Sequence, residues 1–352
     1  MGRDKKRYKK TMREQVYDRL RGQLAFGQSK HEAKRDGSAA GKIYSYASYE
    51  TYKQWGLAFV KWLDQEHPDE TSLKKCKRYV PAYLASLADK EANGGKGYSA
   101  STLATATASL NKLYQLEKDD PHRFTPPERH RSDITRSRGE VANDRHFSEA
   151  NHRELVDFAK ATGARRTALE RLTGDDLWTR DRMASELRYL RSEVERGVEL
   201  PKSDSKRLNA ISEALRAFPD KDYFIYFQRD KGGRDRMAPI AGSEEQRNAV
   251  VERFHATAKD EKVWLAVPSA MDVHSYRSDY ATALYREYAR PIDEIPRDRV
   301  HEGTGRRYQS DVYHCRGDLA GVKLDKAAMR QVSTALGHNR LEVVASHYIR
   351  NV

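Results

Sequence analysis

Residues 119–146, near the middle of the chain, constrain its fold more than any other stretch. They read DDPHRFTPPERHRSDITRSRGEVANDRH, with Pro121, Pro126 and Pro127 set among many arginines and histidines and very few large apolar side chains. Proline lacks a backbone donor and fixes φ, and a segment with so little to bury cannot offset the entropy of being ordered inside a core. This stretch reads as a basic linker, so the chain folds as separate bodies on either side of it. Its 352 residues are enough for two or three domains.

Before the linker the periodicity is helical. Trp55, Phe59, Trp62 and Leu63 recur at i, i+4, i+7 and i+8, which makes one apolar helix face. Val80, Tyr83, Leu84 and Leu87 repeat the pattern after Pro81 sets a helix start, and Leu103, Leu110, Leu113 and Tyr114 mark a third helix with Ser101 and Thr102 as caps. Residues 46–118 therefore form a small helical domain. Lys53, Lys61, Lys74, Lys75, Lys77, Arg78 and Lys112 lie between these faces, as a solvated surface or as one side that lies along a duplex.

Charge enters the argument at the N-terminus. The net charge is +13, and residues 1–50 hold 13 Lys+Arg against 6 Asp+Glu. Residues 13–26 match one amphipathic helix, with Val16, Leu20 and Leu24 on a face, and GQSKHEAKRDGSAAGK after it reads as a flexible connection. Residues 1–45 are thus a basic N-terminal arm, either a solvated tail or an arm that grasps DNA. No apolar run approaches the ~18 residues of a membrane span, and MGRDKKRYKK lacks the apolar centre of a signal peptide, so the expected setting is the cytoplasm, on DNA. Cys76 and Cys315 are too few and too far apart for a disulfide scaffold or a cysteine zinc site. Excess positive charge in such a chain makes nucleic acid the first partner to expect.

Residues 147–352 are globular in composition and carry four stretches that matter together. ATGARRTALERLTGDDL (161–177) reads as a helix entered through Gly163 and holds Arg165. DKGGRDRMAPI (230–240) follows the strand-like YFIYFQ, and Gly232-Gly233 supplies the positive φ of a tight hairpin with Lys231 at its tip. In DVHSYRSDYATALY, His274 and Arg277 stand at i, i+3 on one helix face; LGHNRLEVVASHYIRNV holds His338 just after Gly337, and Tyr348 ten residues on. Taken singly, each has an ordinary explanation: a structural ion pair, a solvated hairpin lysine, a capping histidine, a surface tyrosine.

Their order changes the reading. Arg165, then Lys-Gly-Gly-x-x-Arg-x-x-Pro at 231–239, His-x-x-Arg at 274–277, Leu-Gly-His at 336–338 and Tyr348 together resemble the tyrosine recombinase (phage integrase) family. The resemblance implies a mainly α fold with a small β-sheet or hairpin: a helical, SAM-like core-binding domain at 46–118 and a mixed α+β catalytic domain at 147–352. It implies Tyr348 as a nucleophile that forms a 3′-phosphotyrosyl bond, Arg165 and Arg277 as bidentate donors to phosphate, and Lys231 as the proton donor to the leaving 5′-oxygen. His274 would assist proton transfer, and His338 would hydrogen-bond the phosphate. The residue types suit that chemistry. A phenol titrates near ~10 in isolation, so its attack calls for nearby positive charge, which guanidinium groups supply with a geometry lysine lacks. No cofactor or metal is implied, and no Gly-x-x-x-x-Gly-Lys-[Ser/Thr] loop is present. The implied partners are double-stranded DNA at recombination sites, other copies of the chain in a homotetramer, and accessory DNA-bending proteins.

Several departures accompany the resemblance. The family often has Glu three residues after its first arginine; here the position is Ala168, so either another group orients Arg165 or Arg166 takes its role, and the place of Arg165 two residues after Gly163 favours Arg165. Residues 178–222 and 290–325 are longer than the pattern requires, as binding additions or as plain surface. Only four residues follow Tyr348, so communication between subunits must differ from that of relatives with a further helix. Two other functions compete: a type IB topoisomerase, which uses nearly the same residues, and a non-catalytic DNA-binding regulator on the same fold.

Overall fold

A computed structural model describes residues 9–89, 97–130, 147–230, 232–350 and 352. The fold is mainly α with small antiparallel sheets, as the resemblance implies. The chain divides into two compact units, Met1–Asp133 and Ile134–Val352.

The first unit holds α1 (Met12–Arg21), α2 (Lys30–Arg35), α3 (Tyr46–Glu66), α4 (Val80–Ala88) and α5 (Ala100–Tyr114). Phe59 and Leu63 on α3, Val80 and Leu84 on α4, and Leu110 and Leu113 on α5 fill one core, with Trp55 and Trp62 packed at its edge. Proline sits in the first turn of α4, as anticipated, but the cap of α5 is Ser99, whose hydroxyl accepts from the Thr102 amide at 3.2 Å.

The N-terminal segment differs from the expected arm. Met12, Val16 and Leu20 of α1 and Ile43 lie in the same core, so from α1 onward these residues are part of the helical unit. Gly56 of α3 makes the approach possible, because a Cβ there would stand 2.8 Å from Val16 Cγ1. Gln15 fastens the helix to the 71–73 loop, accepting from Leu73 N at 2.9 Å and donating to Thr71 O at 3.1 Å. The helix stops at Arg21, leaving Leu24 exposed, and the connection expected to be flexible contains α2, capped by Ser29. The start of the expected linker is also ordered, since Lys77 pairs with Asp120 at 2.5 Å and Phe124 packs on the helical core.

The second unit holds α6 (Arg153–Thr162), α7 (Arg166–Leu169), β1 (Leu177–Thr179), α8 (Arg180–Glu195), α9 (Lys202–Ala217), β2 (Tyr223–Asp230), β3 (Arg234–Pro239), α10 (Glu244–His255), α11 (Val273–Tyr288), β4 (Arg299–Val300), β5 (Arg307–Tyr308), β6 (Val312–His314), β7 (Lys323–Asp325), α12 (Lys326–Leu336) and α13 (Leu341–His347). Strands β1, β2 and β3 form an antiparallel sheet in that order, while β4–β5 and β6–β7 pair as two small hairpins. Gly232 and Gly233 have φ of 84° and 72°, which gives the tight turn read from the sequence. Residues 161–177 are not one helix. Gly163 closes α6 in the left-handed region, with φ of 57°, and α7 is a single turn.

The longer 178–222 stretch is core as well as surface. Ile211, Ala214 and Phe218 pack with Phe224 and Met237 of the sheet. Helix α9 also braces the hairpin, because Lys206 Nζ donates to Gly233 O at 2.5 Å and Glu213 pairs with Arg234 at 2.7 Å. Among the described residues no helix is long and apolar enough to cross a membrane.

Candidate active site

Helix α12 ends at Gly337, with φ of 68°, and its last turn leaves carbonyls without partners inside the helix. Two arginines take them. Arg236 on β3 donates Nη1 to Ala335 O at 2.6 Å, and Arg277 on α11 donates Nη2 to Leu336 O at 2.5 Å. The negative end of a helix dipole favours cations at this place. Arg277 Nη1 reaches the carbonyl of Gly163, where a Cβ would stand 2.3 Å from the Tyr280 ring. The glycine is therefore required twice, by its φ and by the ring against it.

Arg236 continues to Asp230 at the end of β2, donating Nε to Oδ2 at 2.8 Å, and Arg165 Nη1 donates to the same oxygen. Burial alone would raise the Asp230 carboxyl, but Arg236 and then Arg165 outweigh it and hold the group well below the usual carboxylate range. Two guanidinium groups thus share one carboxylate oxygen, with the third, Arg277, within electrostatic range of all of them. Burial, then Arg236 and Arg165, lower the Arg277 guanidinium to about 9. Arg236 is lowered by burial too, with Asp230 opposing. Arg236 Nη2 and Arg277 Nε are buried and have no hydrogen-bond partner among the described residues. Buried donors of this kind call for an acceptor, and an oxyanion would supply one.

Tyr348 follows α13 and packs against this cluster. The His274 ring meets it edge-on with centroids 5.3 Å apart, the His338 ring lies at 5.1 Å, and the Arg277 guanidinium carbon is 5.6 Å from its centroid. Its position is fixed from α11: Thr282 Oγ1 donates to Tyr348 O at 3.3 Å and accepts from Arg350 N at 3.1 Å. His338 is held through its backbone, donating N–H to Ser333 O at 2.8 Å and accepting from Ser333 Oγ at 2.8 Å. Burial and then Arg277 push the His274 imidazole below its ordinary value.

Five of the six residues chosen from the sequence, Arg165, His274, Arg277, His338 and Tyr348, meet in this cluster. The sixth, Lys231, lies outside the described residues. Arg166 does different work: its guanidinium donates to the carbonyls of Val267, Pro268, Ser269 and Met271 and ties down that loop. Of the two adjacent arginines it is Arg165 that enters the cluster, where it pairs with Asp230. Asp230 and Arg236 were not among the chosen residues. Arg236 is the arginine of the Lys-Gly-Gly-x-x-Arg-x-x-Pro stretch, whereas nothing in the sequence around Asp230 sets it apart from an ordinary turn-flanking aspartate. Among the described residues no three His, Cys, Asp or Glu side chains gather as a metal-binding group.

Compared with known proteins, the chain matches no protein-family model and no curated protein sequence.

Proposed function

We propose that this chain is a site-specific DNA strand transferase of the tyrosine recombinase kind, which breaks and rejoins DNA through a covalent bond to Tyr348. The observation that carries the reading is the placement of the Tyr348 ring beside His274, His338 and Arg277, with Arg165 and Arg236 on the same arginine cluster. A guanidinium 5.6 Å from the phenol ring, with two more in the same cluster, suits attack on a phosphodiester, because negative charge then accumulates on the non-bridging oxygens. In the cleavage step Tyr348 Oη attacks phosphorus and loses its proton to neutral His274. The bond from phosphorus to the 5′-oxygen breaks, and that oxygen takes a proton from Lys231. Arg165 and Arg277 stabilise the non-bridging oxygens, and His338 hydrogen-bonds one of them. The 3′-phosphotyrosyl bond keeps the energy of the broken bond, so a 5′-hydroxyl from another strand can reverse the step.

The test is a nicked duplex from which the 5′-hydroxyl fragment diffuses away after cleavage, trapping protein on DNA. The wild-type chain should form the trapped adduct, and Tyr348→Phe should not. Adduct formation by Tyr348→Phe at the wild-type level would remove the nucleophile. Supercoil relaxation without recombinant products would mark a topoisomerase, and tight DNA binding without cleavage a regulator.

A further inference from the structure

Strand β2 carries a bulge between Phe227 and Asp230, where its register on β3 shifts. Arg229 sits in the bulge with φ of 47°, a conformation unusual for a residue with a side chain. Asp235 across the hairpin holds it there, accepting from Arg229 N at 2.8 Å and from the Tyr226 hydroxyl at 2.7 Å. The bulge breaks the strand's alternation, so that after exposed Gln228 and Arg229 the Asp230 side chain turns back into the interior.

At that point Asp230 uses one oxygen to hold two arginines from different elements, Arg165 at the start of α7 and Arg236 on β3. The Arg236 guanidinium carbon is also stacked 3.7 Å from the Phe227 ring centroid. Ala168, where the family often has glutamate, lines the same cavity of about 350 Å³ as Asp230 and presents no carboxylate there.

We infer that Asp230 is a positioning residue, built into the bulge, that aims Arg165 and Arg236 at the anion entering the site and does the work a glutamate at position 168 would otherwise do. Without it, three like charges would repel one another and Arg165 would lose the one carboxylate that pairs with it among the described residues. The inference rests on the proposed function for the identity of that anion, a DNA phosphodiester.

The experiment compares the full-length wild-type chain, Asp230→Ala, Arg165→Ala and the double variant Asp230→Ala/Ala168→Glu on a nicked duplex that the wild type cleaves. The cleaved position carries either the normal phosphodiester or a methylphosphonate, whose missing charge makes an aimed guanidinium less important. On the phosphodiester, Asp230→Ala and Arg165→Ala should each slow adduct formation roughly 10²-fold. On the methylphosphonate both deficits should shrink to a few-fold, and Ala168→Glu should restore a large part of the phosphodiester rate. An equal loss on both substrates would mean that Asp230 is structural only, and a wild-type rate for a folded Asp230→Ala would overturn the inference outright. If the wild type forms no adduct on any DNA, the functional reading fails by itself. The positioning is then read from the Arg236 Nε–H resonance, which Asp230 should protect from exchange in the wild type. Unchanged protection in Asp230→Ala would overturn it.

Discussion

Burial and then the adjacent Arg277 disfavour the proton on the His274 imidazole and hold it below its ordinary value, which favours the neutral form at pH 7. A neutral imidazole 5.3 Å, ring to ring, from Tyr348 suits a proton acceptor. The acid-side decline of the cleavage rate should therefore be centred below ~6.5, the ordinary histidine value. A decline centred above that value in a pH–rate profile would exclude His274 as the acceptor. Stability moves in the same direction. As pH falls through the ordinary value the unfolded chain takes up a proton before the folded one, so this group costs stability progressively down to its folded value. His-x-x-Arg could be read from the sequence because a three-residue step on a helix puts both side chains on one face. Asp230 could not, because its burial depends on a bulge that no local pattern announces.

At the scale of elements, the site depends on two helix ends closed by glycine. Gly163→Ala would force a Cβ into the Tyr280 ring at a backbone angle that alanine resists, and should destabilise the chain by about 2–4 kcal/mol. Denaturant unfolding measures this, and a change below about 0.5 kcal/mol would show that α6 and α11 give way easily. The hairpin and α11 are legible because Gly-Gly and the i, i+3 step from His274 to Arg277 are local signals. The 161–177 segment departs from the expected single helix because Gly163, in the left-handed region, closes α6 instead of opening a helix. The core role of α9 was hidden as well, since Ile211, Ala214 and Phe218 are apolar at spacings that a surface helix also shows.

Across the whole molecule, charge and packing at the N-terminus separate. Residues 1–10 hold six basic residues and one acidic, whereas α1 contributes Met12, Val16 and Leu20 to the helical core. A truncation that ends before Thr11 should weaken DNA binding and flatten its dependence on salt while leaving the fold intact. An unchanged slope of affinity against salt would mean that these ten residues make no phosphate contacts. Leu20→Ala should instead cost about 2–5 kcal/mol of stability, so removing residues 1–40 would disrupt the unit rather than trim an arm. The division into two units was legible from the proline- and arginine-rich 119–146 stretch, though Phe124 and Asp120 belong to the helical unit. The central claim concerns one atom, Tyr348 Oη. Trapping wild-type protein on a nicked duplex, digesting it and mapping the DNA-bearing peptide by mass spectrometry tests that claim most directly. The account predicts a 3′-phosphate ester on Tyr348; a trapped adduct on any other residue, or one joined through a 5′-phosphate, would contradict it.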